Sequence, residues 1–100
     1  LSWPDPNKYA NHLTDEIFPN LEGLSLVKLG MTKDQVRHLI GLPHTNELYA
    51  ARDWTYVLRF REANQVTTCF FKVTFNNEPL VSGLYWHPVS PENATCPPAN

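Results

Sequence analysis

No apolar run in this chain approaches the roughly 18 residues that a membrane-spanning helix needs, so nothing in it crosses a bilayer as a helix. Positive charge is not in excess. Eight Lys and Arg stand against ten Asp and Glu, a formal net charge of −2. That removes the basic face of a nucleic-acid binder and the polybasic cluster of a membrane-surface anchor. Glycine is scarce, with four residues and no phosphate-cradling loop among them. Serines stand at 2, 25, 82 and 90, none in a Gly-x-Ser-x-Gly elbow. The two cysteines, Cys69 and Cys96, have no partner at C-x-x-C spacing, and four scattered histidines complete no zinc site with them. No calcium spacing is present either. His38 and His44 flank the Gly41-Leu42-Pro43 turn and, with Asp53, are the one residual catalytic grouping. Histidines beside a turn are more commonly plain surface residues. The expectation is a non-enzyme with no catalytic residues, no metal, no cofactor, no small-molecule substrate and no nucleic-acid partner.

What is present reads as one globular domain. One hundred residues, 42% hydrophobic and 18% charged, support a single modest core. The stretch Leu29 to Tyr56 organises it. Thr32 and Gln35 fit a capping box at the start of a helix. Val36, Leu39 and Ile40 form its apolar stripe. Gly30 is placed to end a preceding helix, and Gly41 to end this one in a left-handed conformation. Pro43 forbids continuation. The period then changes to two: Trp54, Tyr56, Leu58 and Phe60 alternate with Asp53, Thr55, Val57, Arg59 and Arg61.

Taken in order, residues 1–19 form an irregular lead-in broken by Pro4, Pro6 and Pro19, with Trp3 and Tyr9 as candidate anchors. Asn20 is an N-cap candidate for a helix over 21–29, which Gly23 weakens by about 1 kcal/mol. The Thr32 helix follows at once, giving an αα-hairpin. Strands are expected over 52–61, 66–75 and 80–87, joined by Glu62-Ala63-Asn64-Gln65 and Asn76-Asn77-Glu78-Pro79. The predicted fold is α+β: a two-layer sandwich in which the αα-hairpin packs on a three-stranded antiparallel β-meander, with a domain over 20–88. The inward side of the third strand is open, because Leu80, Leu84 and Trp86 oppose Val81 and Tyr85. Arg59, Arg61 and Lys72 share the sheet face away from the aromatic row, either as a cationic patch or as a solvated outer face. Leu42-Pro43 and Tyr49 make an apolar edge suited to protein contact.

Residues 89–100 are a proline-rich tail. Cys69 and Cys96 are either unrelated or joined by a disulfide. A free thiol in so exposed a tail is a liability, and closing that loop contributes about 3–4 kcal/mol in the chain-entropy view, so the disulfide is the favoured reading. It implies an oxidising compartment. Helix, Gly turn, capped helix also describes a helix-turn-helix DNA reader, whose second helix would present Lys33, Asp34, Arg37 and His38, a weak phosphate clamp.

The segments L-G-M-T-K-D-Q-V-x-x-L-I-G-L-P, D-W-T-Y-V-L-R-F-R, T-C-F-F-K-V-T-F-N and L-Y-W-H-P resemble the BamE (SmpA/OmlA) domain family over about 21–88. The last three are most similar to the variant that precedes an OmpA-like peptidoglycan-binding domain in outer-membrane lipoproteins. In that variant a second cysteine follows W-x-P, as Cys96 does here. The resemblance implies an αα-β-β-β fold and a place on the periplasmic face of the outer membrane, with a lipid anchor upstream of Leu1. It implies support for β-barrel protein assembly or envelope integrity through a helical-repeat lipoprotein partner and anionic phospholipid. The family's contact surface falls on Leu42 beside Pro43, Tyr49 and Arg59. β-Lactamase-inhibitor proteins share a similar unit, usually duplicated, which leaves a secreted inhibitor as a further alternative.

Overall fold

A computed structural model describes residues 3, 5, 20–43 and 51–98. Two short helices, α1 (Leu21–Leu26) and α2 (Lys33–Ile40), precede three strands, β1 (Asp53–Glu62), β2 (Gln65–Phe75) and β3 (Val81–Ser90). The strands form one antiparallel sheet in the order β1-β2-β3. The α+β arrangement expected from the sequence is the one observed.

Both helix starts are capped as the sequence predicts. Asn20 Oδ1 accepts from the backbone N–H groups of Glu22 and Gly23 at 3.1 and 3.2 Å. Thr32 and Gln35 make the full capping box. The first helix, however, stops at Leu26 rather than reaching 29. Val27 turns to extended backbone (φ −67°, ψ 123°) and buries its side chain in the core. Gly30, at φ +89°, therefore shapes the turn between helices instead of ending α1. That turn pairs with the start of β3: Gly30 N–H donates to Val81 O, and Val81 N–H donates to Met31 O, both at 2.8 Å.

Gly23 has a packing reason. It is buried in α1, and a Cβ there would run into the carbonyl of Leu39 on α2. The helix propensity lost at Gly23 allows the two helices to meet backbone to backbone.

The core lies between helices and sheet. Val27 and Val36 meet Trp54, Tyr56, Leu58 and Phe60 from β1, Cys69, Phe71, Val73 and Phe75 from β2, and Val81 from β3. Trp54 and Phe75 touch edge to face at 5.1 Å, and Phe71 stacks on Trp86 at 4.4 Å. The third strand's ambiguity is settled by a bulge. Register steps from Thr74↔Gly83 to Phe75↔Val81, so Ser82 is one residue too many and the face parity changes there. Val81 and Leu84 thus both turn inward, and Tyr85 stays exposed. β3 also runs on through Pro88 to Ser90, which an edge strand tolerates.

The second sheet face is not a solvated one, as the charges on it suggested. Thr55, Val57, Thr68, Phe70 and Lys72 are buried. Trp3 lies over them, stacked on His87 at 5.1 Å and on Phe70 at 6.2 Å, with Lys72 Nζ 5.0 Å from its ring. Trp3 is an anchor, as one reading of the lead-in had it; Tyr9 lies outside the described residues. Cys69 and Cys96 form the disulfide, with Cα atoms 6.0 Å apart.

Two contacts lock α2 to β1. The Tyr56 hydroxyl donates to Gly41 O at 2.7 Å, and Lys33 Nζ donates to Ala51 O at 2.9 Å. Burial pushes the Tyr56 phenol well above its ordinary value of 10.0, so it stays a donor.

Two outcomes follow from this packing. Gly23→Ala should lower stability by about 1–3 kcal/mol in urea unfolding, because the added methyl meets fixed backbone. A Tyr56→Phe change should cost about 1–3 kcal/mol by leaving the Gly41 carbonyl without its donor. Its alkaline sign is also set. A phenol whose ionisation is suppressed in the folded state contributes fully below the ordinary value and loses that contribution as pH rises past it, since the unfolded chain ionises first. Urea midpoints above about pH 10 should therefore fall more steeply for the parent than for Tyr56→Phe.

Candidate functional site

The Gly41-Leu42-Pro43 turn is built from α2 outward. Gly41 takes φ +79°, ψ −172°, backbone open in practice only to glycine, while its N–H closes α2 on Arg37 O at 2.8 Å. The positive φ matches the left-handed conformation expected of Gly41, but the ψ does not: it is extended. The extended ψ sends the chain away from the helix axis. Pro43 is buried and Leu42 is left 43% exposed. With Gly41 O held by the neutral Tyr56 hydroxyl, Leu42 is an apolar side chain on a fixed turn rather than on a loose loop.

Arg59 is half-buried on β1, three residues beyond Tyr56. Tyr56 faces the helices and Arg59 the opposite side of the sheet. The structure therefore places Arg59 on the sheet face away from the helix that carries the Leu42 turn, and does not bring the two together. Tyr49 and His44 lie outside the described residues. Asp53 is exposed at the strand start. His38 has its Nδ1 3.1 Å from Asp34 O on exposed helix surface. No group of three or more His, Cys, Asp or Glu able to hold a metal occurs among the described residues.

The helix-turn-helix alternative is not favoured by this geometry. Its second helix needs Lys33 in solvent. Lys33 is instead buried, with Nζ on Ala51 O and 5.1 and 5.9 Å from the Phe75 and Trp54 ring centroids. Its aliphatic stem packs while its charge faces a carbonyl and two π-clouds. The sequence pattern did not reveal this, because a Lys at the first position of a helix looks like a surface cation.

Sequence reasoning also missed a groove of about 550 Å³ at the open end of the sandwich. Leu21, Leu24 and Val27 line it from the helical segment, Phe60, Phe71 and Trp86 from the sheet, and Pro97 and Pro98 from the tail, with Arg59, Arg61 and Glu62 at the end of β1 also on its lining. The available signal was the α1 leucine row together with a cysteine followed by two prolines, which a disulfide carries back over the sheet.

A family model described as the outer membrane protein assembly factor BamE domain matches residues 17–84. The Outer membrane protein assembly factor BamE of Escherichia coli (strain K12) is 28% identical over 82 residues. The proteins of that name from Escherichia coli O6:H1 and from Shigella dysenteriae serotype 1 align to the same extent. Each alignment covers 81% of this chain and 66% of the relative, so the chain spans just under two thirds of the length of the relatives it matches. With the family match over well more than half of its length and the αα-β-β-β architecture in place, this chain belongs to the BamE domain family.

Proposed function

We propose that this chain acts in outer-membrane protein assembly, as a non-enzymatic scaffold domain on the periplasmic face of the outer membrane. The family match over 17–84, to relatives named as assembly factors, carries this reading. The disulfide agrees with it, since such bonds persist in oxidising compartments like the periplasm.

The contact surface proposed is the flank of β1: Leu42 on its Pro43-anchored turn, Tyr49 in the segment that follows, and Arg59 on the strand. An exposed Leu on rigid backbone loses little entropy on docking, which favours its use as an anchor for a protein partner. Arg59 would add a charged contact, either to that partner or to an anionic phospholipid headgroup. Because Leu42 and Arg59 face different ways, the partner wraps the strand's flank instead of lying flat on one face. A lipid anchor upstream and a peptidoglycan-binding OmpA-like domain downstream complete the proposed arrangement in the whole protein.

Alanine alleles in the source bacterium test this. Leu42→Ala should weaken capture of the envelope partner by about 5–30-fold, an anchor's worth of about 1–2 kcal/mol, with Tyr49→Ala and Arg59→Ala each causing a measurable loss. The amount of folded β-barrel protein in the outer membrane should fall in parallel. If all three alleles, at normal protein levels, leave partner capture unchanged, the surface is wrongly placed. If deleting the gene leaves barrel levels untouched, the assembly role itself fails.

A further inference from the structure

The segment 91–98 is held in place differently from the rest of the domain. Three of its residues are prolines, which have no N–H to donate. Among the described residues its one hydrogen bond is internal, from Ala94 N–H to Pro91 O at 3.0 Å. It is tied to the body by the Cys69–Cys96 bond and by the apolar contacts of Cys96, Pro97 and Pro98. The described helices and strands have directional support. The β1–β2 ladder is unbroken, β2–β3 pairs along its length with two bulges, the helices are capped, and α2 is locked to β1 by Tyr56 and Lys33.

That contrast matters because of what the segment covers. Pro97 and Pro98 form one side of the 550 Å³ groove whose floor is Phe60, Phe71 and Trp86. The covalent tie between that side and the sheet is the Cys69–Cys96 bond. The two sulfurs are also unequal. Cys69 is fully buried at the centre of the sheet, while Cys96 is half-buried.

We propose that Cys69–Cys96 is a redox-operated clasp. Oxidised, it holds the proline segment as a side of the groove. Reduced, it frees residues 91–98 and bares the aromatic floor while sheet and helices stay folded. The reductant is a dithiol, either a small molecule or a protein of the Cys-x-x-Cys class. Its thiolate attacks Cys96 Sγ, the approachable sulfur. The S–S bond breaks, a mixed disulfide forms at Cys96, and Cys69 leaves as a thiolate that takes up a proton. The second thiol of the reductant then attacks the mixed disulfide and releases Cys96 as a thiol. Two electrons have passed to the protein, and the reductant ends as its own disulfide. A disulfide oxidant reverses the sequence. The clasp does not depend on the assembly role, and either can fail without the other.

Amide hydrogen exchange on the full chain, with and without dithiothreitol, tests it, with alkylation confirming complete reduction. The Ala94 amide, the one hydrogen-bonded amide of the segment, should lose its protection, while the amides of β1, β2 and α2 keep theirs within a few-fold. An apolar dye, 8-anilinonaphthalene-1-sulfonate, should brighten several-fold and dim again on reoxidation. Cys96→Ser without reductant should reproduce the open state. Fully reduced protein with unchanged exchange at Ala94 and unchanged dye fluorescence would overturn the clasp. So would loss of protection throughout the sheet, which would make the bond a support of the whole fold, or a Cys96→Ser protein with the dye response of the oxidised parent.

Discussion

The hydrogen bond from the Tyr56 hydroxyl to the Gly41 carbonyl joins the two layers of this domain at the point where the chain leaves the second helix. A helix terminus leaves carbonyls without partners, and one facing a core needs a donor from elsewhere. Tyr56 supplies it from the neighbouring layer, and burial keeps its phenol protonated. Because the donor sits on β1, the end of α2, the Gly-x-Pro turn and the first strand become one rigid unit. Lys33 makes the matching tie at the other end of α2, from beneath the Trp54 and Phe75 rings to Ala51 O. The helix is thus tied at its start to Ala51, just ahead of β1, and just past its end to Tyr56 within β1.

A sheet this small gains from covering both faces. The helices cover one. Trp3 helps cover the other, over Phe70, His87 and the buried Lys72. The third side, at the open end of the sandwich, is closed by a segment too proline-rich to hydrogen-bond there, and a disulfide does what backbone donors do elsewhere. The domain therefore uses three kinds of closure: a buried polar lock, an aromatic plug and a covalent tether.

Much of this was legible before any coordinates. Asn20, Thr32 and Gln35 announced both helix starts, Gly41 and Pro43 the second helix's end, and the alternation from Trp54 to Phe60 the core face of β1. Those are local rules, satisfied within a few residues. What was not legible depends on contacts made far along the chain. Gly23 reads as a weak helix residue until Leu39 is seen against it. Lys33 reads as a surface cation until Ala51 is seen beside it. Val81 and Leu84 conflict in parity until the extra residue, Ser82, is placed. Of the candidate site, Leu42 and Arg59 could be named from the family motif, but that Arg59 faces away from the helix carrying the Leu42 turn needed the packing of helices on the sheet.

In the proposed contact surface Leu42 is the fixed apolar anchor for an envelope partner. A photo-crosslinking amino acid at position 42, compared with the same group at the exposed Tyr85 position of β3, tests that directly in intact cells of the source bacterium. The account predicts an envelope-protein adduct from position 42 and none from position 85. No adduct from 42, or equal adducts from both positions, would contradict it.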